Sequence, residues 1–402
     1  MNIKKYFTLV VILIIGLTFL TAQSSNYSSY GIGIEQRASS TRMEGLGFSG
    51  SALYDSLSVT SYNPALWYGF RTVSLQGKVQ YSNVKASKVS NEIEMGNFEG
   101  FSIKMPLTQY GGFVLGLKPS TRANSEVLDD KTGSKVKIKG GISELYFGGG
   151  YRLTKYLSGG LVSRFLFGKY SYLTNTETSY SKYYFSQHQN IRGNILGMGL
   201  FWRKPRNYSI SFQYNHPVKV SHSKIIEYNR STKSGEQNLK NDTTGYSSLD
   251  YPKNIKIGLS KHITKRISVT SDLNYSEKMD TEFQIPAEKD FDYTGSYLIG
   301  MGMERKPSRR FNAGFLDKLY YRVGAFYENG NIKSKAGKGR IEKGVSAGIG
   351  IPFYSGMSRL DISLLYSETS GFLDESIGKE KKLSINVELT SGGVWFSNAL
   401  KY

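Results

Sequence analysis

The sequence predicts an all-β chain: a 14-stranded antiparallel transmembrane β-barrel with an N-terminal plug. Three observations carry this prediction. Apolar and polar residues alternate with period two, the connections between the alternating segments differ regularly in length, and ring-bearing residues and Gly are abundant, with 30 Tyr, 21 Phe and 44 Gly among 402 residues. Period two places one apolar and one polar face on each strand, as in a barrel with a lipid-facing exterior and a polar lumen.

The alternation is clearest in residues 383–389, where Leu383, Ile385, Val387 and Leu389 are separated by polar residues. A soluble sandwich would also alternate, so this pattern alone does not select a barrel. Strands are predicted to start near Thr72, Glu99, Gly111, Gly141, Leu157, Gly193, Tyr208, Asn254, Ile267, Ser296, Leu319, Lys343, Arg359 and Lys382.

The connections between these strands alternate between short turns and long polar linkers. The long linkers are expected at residues 84–98, 119–139, 170–192, 217–252, 277–294, 328–342 and 367–381. Such alternation with an even strand number is typical of outer-membrane barrels, which have short periplasmic turns and long extracellular loops. We therefore expect a monomer in the cell outer membrane, with both termini on the periplasmic side.

Residues 1–22 are predicted to be a secretory signal peptide. Lys4 and Lys5 precede an apolar run that ends at Leu20, and Ala22 is the expected residue before the cut. A retained membrane anchor is the alternative, although the run is short for a bilayer span. The chain contains no Cys, which excludes disulfides, thiolate zinc sites and lipid attachment through a cysteine.

Residues 23–71 lack the strand alternation and are predicted to form the plug, followed by the barrel at 72–402. This stretch mixes Gly45, Gly47 and Gly50 with apolar residues. Lumen-facing glycines on the strands allow two interpretations: close approach of a plug backbone, or easier bending of the strand. The strand glycines in question are Gly197, Gly199, Gly348 and Gly350.

The charged residues suggest a neutralised lumen and a basic rim. Residues of both signs are predicted to face the lumen, unlike the single-sign rings of an ion-selective porin: Lys78, Lys104, Glu144, Arg164, Asp272, Arg322, Asp361 and Glu388. The net charge of +20 resides largely in the short turns. Because export argues against nucleic acid as a partner, the basic turns point to outer-membrane lipids or an acidic periplasmic partner, or they simply keep the rim solvated.

The sequence contains no recognisable enzyme or cofactor motif. The four His residues, at 188, 216, 222 and 262, lack metal-ligand spacing, and the Gly-rich segment 148–150 is not followed by the Lys-Ser/Thr of a phosphate loop. A Ser/His/acid arrangement at the barrel rim stays open. We predict a protein that is not an enzyme and that uses no cofactor or metal.

The order of features resembles the FadL-type family of outer-membrane transporters for long-chain fatty acids and aromatic hydrocarbons. The resemblance rests on the Gly-rich stretch 45–50, on Asn63-Pro64-Ala65 and on the run 321–352. It implies that the Asn-Pro-Ala turn ends the plug and acts as a gate, and that plug movement opens a passage toward a lateral gap in the wall. A divergent branch of this architecture serves type IX protein secretion.

The leading hypothesis is therefore passive uptake of hydrophobic small molecules such as long-chain fatty acids. The alternatives are a barrel scaffold or shuttle component of a secretion system, and a general diffusion porin. Apolar residues in the plug or near the long loops are the predicted ligand contacts: Leu46, Phe48, Leu53, Phe165, Phe167 and Phe326.

Overall fold

The computed structural model describes residues 25–29, 33–37, 40–59, 63–70, 72–88, 92–129, 134–177, 181–204, 207–232, 235–249, 251–278, 291–308, 310, 312–353 and 356–393. The predicted signal peptide at 1–22 lies outside the described residues. No helix within the described ranges has the length and apolar character needed to cross a membrane.

The described chain is dominated by strands. Short helical turns occur at Asn26–Ser29, Thr41–Glu44, Pro64–Leu66 and Leu316–Lys318. The strands are β1 (Ile34–Glu35), β2 (Val73–Ala86), β3 (Glu92–Pro106), β4 (Gly111–Asp129), β5 (Ser134–Arg152), β6 (Leu157–Glu177), β7 (Lys182–Arg203), β8 (Tyr208–Thr232), β9 (Gly235–Leu249), β10 (Asn254–His262), β11 (Ile267–Ser276), β12 (Phe291–Tyr293), β13 (Ser296–Arg305), β14 (Tyr320–Ser334), β15 (Gly339–Phe353), β16 (Ser358–Ser370) and β17 (Glu380–Gly393).

Fourteen of these strands close into an antiparallel barrel, which confirms the predicted fold class. The last strand returns to the first, because β17 pairs with β2 from Gly393↔Val73 to Glu380↔Ala86. Residues 208–215 of β8 pair with β10, while residues 220–232 of the same strand pair with β9. Strands β9 and β12 therefore extend the sheet beyond the barrel, and β1 lies outside the fourteen.

The strands are longer than predicted at one end of the barrel. Residues 170–192 were expected to be a linker, but β6 and β7 pair through most of them, up to Glu177↔Lys182. Likewise, the expected linker 217–252 is largely the upper half of β8 paired with β9. These polar segments contain many Tyr, Ser and Thr, and paired backbones satisfy their own hydrogen bonds, so polarity does not end the strand.

The two faces of the wall differ as the alternation predicts. All eight charged residues expected in the lumen are buried, including Lys78, Arg322 and Asp361. Large apolar side chains are exposed on the opposite face, for example Leu161 and Val323. A continuous apolar exterior of this kind is unfavourable in water and is typical of a wall surrounded by lipid.

The wall contains a seam between β3 and β4. These strands pair only from Pro106↔Gly112 to Phe101↔Leu117, although β3 continues along β2 and β4 continues along β5. Beyond Leu117, where β4 no longer pairs with β3, β1 pairs with β4 instead, at Ile34↔Arg122. The Arg122 guanidinium crosses the seam, donating to the Phe98 carbonyl at 2.6 Å and lying 2.7 Å from the Glu99 carboxylate.

Candidate functional site in the barrel lumen

The described residues between 25 and 70, here called the luminal segment, lie inside the barrel. Their contacts reach lumen-facing residues on strands around the whole circumference. Ser51 meets Ser211 of β8, the Thr41 amide donates to Glu388 of β17, and the Ser158 hydroxyl of β6 donates to the Ala65 carbonyl. A chain segment that touches strands on all sides of a closed barrel must occupy its lumen.

Six side chains form a closed ring of alternating charge between the luminal segment and the wall, here called the charge ring. Starting from the segment, the order is Arg42, Glu304, Arg322, Asp361, Arg359 and Asp55, and Asp55 returns to Arg42. The closest nitrogen–oxygen distances of successive pairs are 2.7, 3.0, 2.6, 2.6, 2.7 and 3.6 Å. Three cations face three anions, so the ring is neutral as a unit.

Electrostatics keep the ring charged despite its burial. For Asp55, burial by itself raises the pKa, but the facing Arg359 guanidinium, and then that of Arg42, hold the pKa well below its usual range. The Arg42 guanidinium donates two hydrogen bonds to the Glu304 carboxylate, both at 2.7 Å. A buried charge is tolerated when it is paired and hydrogen-bonded in this way.

Further polar contacts fix the luminal segment at other points. The Asp272 carboxylate on β11 accepts from the backbone amides of Gly50 and Ser51, at 3.2 and 3.0 Å. Lys78 on β2 pairs with Glu44 at 2.5 Å. β11 is the direct neighbour of β13, and β2 lies two strands beyond β16, so these two contacts flank the charge ring on either side.

Lumen-facing glycines allow the backbone of the luminal segment to lie directly against the wall. A Cβ at Gly324 would lie 2.2 Å from the Gly47 nitrogen, and one at Gly300 would lie 2.1 Å from the Gly47 carbonyl oxygen. A Cβ at Gly348 would lie 3.2 Å from Gly45, whereas the atoms nearest to a Cβ at Gly350 belong to side chains of the wall. Close backbone approach therefore explains some of the lumen-facing glycines, and the bending interpretation is left for others.

The Asn63-Pro64-Ala65 turn lies at the short-turn end of the lumen. Asn63 caps the short helical turn, its side-chain oxygen accepting from the Ala65 amide at 2.9 Å, and Pro64 occupies the first position. A Cβ at Gly160 or Gly199 would collide with this turn. Pro fixes its own backbone angle, so the corner is stiff.

The predicted ligand-contact residues separate into two groups. Leu46, Phe48 and Leu53 are buried in the luminal segment, and Phe326 is buried beside Phe48. Two further predictions were wrong about the face: the side chains at positions 165 and 167 are on the exterior, 50% and 41% exposed, because their neighbours Arg164 and Leu166 take the inward positions. A shift of one residue in register inverts every side chain of a strand.

Sequence reasoning missed four members of the charge ring, namely Arg42, Asp55, Glu304 and Arg359. A usable signal existed for two of them, since Arg42 and Asp55 are, with Glu44, the charged residues of a stretch of small and apolar residues at 40–59. Charges in such surroundings need partners when buried.

Small cavities lie in the described part of the lumen. One of them, of about 90 Å³, is bordered by charged and amide side chains such as Glu35, Lys118 and Arg164. A second, of about 40 Å³, opens at the β3–β4 seam. Within the same ranges, no cluster of His, Asp or Glu side chains could hold a metal ion.

A closed 14-stranded barrel with an apolar exterior and a segment folded into its lumen defines the class of outer-membrane-type β-barrel proteins. The BamG family model matches residues 2–402, so the chain belongs to the BamG family. No curated protein sequence matches the chain.

Several solved structures share the fold at low sequence identity. A Pseudomonas aeruginosa FadL homologue has a TM-score of 0.64 and 13% identity, over 90% of this chain and 99% of that one. The CymD monoaromatic hydrocarbon channel has a TM-score of 0.60 and 12% identity, over 93% and 100%. The Ralstonia pickettii toluene transporter TbuX has a TM-score of 0.59 and 12% identity, over 91% and 99%. CymD is a hydrocarbon channel and TbuX is a toluene transporter. The FadL-type fold predicted from the sequence is supported by these similarities.

Proposed function

We propose that this protein is an outer-membrane barrel scaffold whose lumen is held closed and whose role is to join a protein assembly. The charge ring is the observation that carries the proposal. In it, Arg42 and Asp55 of the luminal segment are bound to two wall strands, β13 and β16, through Glu304 and Arg359. The domain organisation proposed here is signal peptide 1–22, plug 23–71 and barrel 72–402.

The energetics favour a fixed plug over a moving one. Removing one partner from a buried ion pair costs about 3–5 kcal/mol. Plug movement would break the contacts of Arg42 and Asp55 with the wall together with those that Asp272 makes to Gly50 and Ser51. A passive channel would have to break all of these in each passage, whereas a scaffold needs none of them to break.

The small cavities favour the same proposal. Pockets that bind drug-sized ligands usually have volumes of about 300–1,000 Å³ and mostly apolar walls. The cavity bordered by Glu35, Lys118 and Arg164, at about 90 Å³, is well below that range, and many of its bordering side chains are polar. A general diffusion porin is disfavoured too, because the luminal segment fills the cross-section. The proposal assigns no catalytic role, cofactor or metal.

The second candidate is passive uptake of a hydrophobic small molecule such as a long-chain fatty acid, released by plug movement past a gate at Asn63, Pro64 and Ala65. Two observations favour it: the fold shared with hydrocarbon channels, and the seam between β3 and β4 with its cavity. The buried Phe48–Phe326 pair would be the apolar contact on that route.

A disulfide lock separates the two candidates. The side-chain oxygens of Ser51 and Ser211 are 2.7 Å apart, and the natural chain has no Cys. The double variant Ser51→Cys, Ser211→Cys should therefore tie the luminal segment to β8 on oxidation, with each single variant as a matched control. Uptake of labelled long-chain fatty acid is measured with and without reductant, against an empty-vector strain and at equal barrel abundance.

The scaffold proposal expects no uptake above the empty vector in any of these strains. It also expects the barrel, extracted in mild detergent, to migrate in a complex larger than its own 45.0 kDa chain. Uptake by the unmutated protein would overturn the proposal. If that uptake also disappeared on oxidation and returned on reduction, plug movement would be the mechanism.

A further inference from the structure

The short turns of the barrel carry their charge on one side only. Four consecutive turns, 152–156, 203–207, 261–266 and 305–319, contain two, three, three and five Lys or Arg residues, with Asp317 as the single acidic residue. The other two short turns, at residues 107–110 and 353–358, contain no charged residue. The four charged turns are here called the basic arc.

The last two turns of the arc, 261–266 and 305–319, are joined into one surface. Asp317 in the last turn pairs with Arg305 of its own turn and with Arg266 of the neighbouring turn. The Lys306 amide donates to the Arg266 carbonyl at 2.7 Å, and the Ser308 amide donates to the Asp317 carbonyl at 2.7 Å. A surface that is ordered before binding loses less conformational freedom when a partner docks.

An exposed apolar pair lies in the last turn of the basic arc. Phe315 and Leu316, in the longest of the short turns, are each 68% exposed. The Leu316 backbone is held by the Tyr321 hydroxyl, which donates to its carbonyl at 2.9 Å. Exposed apolar side chains surrounded by polar residues are typical of interaction sites, where an aromatic anchor supplies much of the affinity.

We propose that the basic arc is the docking surface for an acidic periplasmic protein, with Phe315 and Leu316 as its apolar anchor. The inference deepens the proposed scaffold function and rests on it. The one-sided charge favours a protein over the inner leaflet, because anionic headgroups surround the barrel evenly and would attract basic turns all around the rim. Complementary charge would steer the partner to one side and fix its orientation.

Site-specific photocrosslinking in intact cells tests the surface. Phe315 is replaced by p-benzoylphenylalanine, and Leu107, exposed on an uncharged turn, receives the same replacement as the matched control. We expect an adduct with an acidic protein at position 315 and none at position 107. The double variant Lys265→Glu, Arg310→Glu should lower the adduct yield about tenfold. Lys335→Glu, at the opposite end of the barrel, should leave it unchanged.

Equal adducts at both positions, lipid adducts only, an adduct insensitive to charge reversal, or no adduct would each overturn the docking surface. Heat-modified gel mobility checks that every variant is a folded barrel. If the docking test fails while the barrel still migrates in a larger complex, the partner binds elsewhere and the scaffold function stands. If the larger complex is also absent, the scaffold function fails with it.

Discussion

The Phe48 ring meets the Phe326 ring edge-on, with 4.8 Å between ring centroids, and this contact joins the luminal segment to β14. The Arg37 guanidinium lies over both rings, 4.6 and 4.7 Å from their centroids. Phe48 has a φ of 62°, the only positive φ among non-glycine residues in the described ranges. A bulky residue in this strained conformation is retained where the surrounding contacts over-determine it.

The first prediction is that Phe48 and Phe326 are energetically coupled. In a double-mutant cycle of Phe48→Leu and Phe326→Leu, we expect a coupling free energy of about 0.5–1.5 kcal/mol, the usual value for an edge-on aromatic pair. Urea unfolding of the refolded barrel in detergent micelles measures it. Phe165→Leu, on the exterior, is the control partner and should be additive with Phe48→Leu to within about 0.5 kcal/mol. Zero coupling in the first cycle would mean that the ring contact contributes nothing.

A second prediction concerns the glycine contact at β14. Gly324→Ala would place a Cβ 2.2 Å from backbone atoms of Leu46 and Gly47, so the luminal segment has to shift. We expect a loss of about 1–3 kcal/mol in unfolding free energy, as in overpacked cores, and a higher conductance in planar bilayers. Gly77→Ala is the control, since nothing lies within 4 Å of its Cβ position. Equal behaviour of the two variants would show that the contact is not tight.

The barrel was predictable because the features that specify it are local in the sequence. Period two, the even strand count and the short turns are all visible along the chain, and the predicted starts at Gly111, Leu157 and Tyr208 coincide with those observed. These starts follow short turns, where the chain reverses abruptly. At the other end, the predicted start at Gly193 was late, because β7 begins at Lys182 as part of a polar hairpin that continues beyond the apolar band.

The charge ring was not predictable because it consists of tertiary contacts between residues that are far apart in the sequence. Arg42 meets Glu304, and Asp55 meets Arg359, across separations of about 260 and 300 residues. Alternation says that a strand residue faces the lumen, but not which part of another segment lies opposite. The predicted inward orientation of the side chains at positions 165 and 167 was wrong for a related reason. An aromatic side chain suits both a lipid-facing exterior and a buried interior, so the residue type does not indicate the face.

The third prediction is that the charge ring carries much more stability than an exposed ion pair. Glu304→Gln leaves the Arg42 and Arg322 guanidinium groups buried without full charge compensation, so we expect a loss of about 3–5 kcal/mol. The control is Glu375→Gln, which breaks an exposed pair with Lys338 at 2.7 Å and should cost about 0–1 kcal/mol. Both values come from urea unfolding in the same detergent. Comparable losses in the two variants would contradict the role assigned to the ring.

The last prediction is the pH at which the luminal segment loosens. The pKa of Asp55 is held well below its ordinary value of 3.8, so its ion pairs contribute fully above that value and are lost as the pH falls toward the lower pKa of the folded state. We expect bilayer conductance to stay low from pH 7 to pH 5 and to rise only below about pH 4. Asp55→Asn lacks this titration and should weaken the segment at all pH values, with a conductance that changes less between pH 5 and pH 3. A conductance of the unmutated barrel that rises already between pH 7 and pH 5 would show that another group, and not the Asp55 carboxylate, controls how the segment is held.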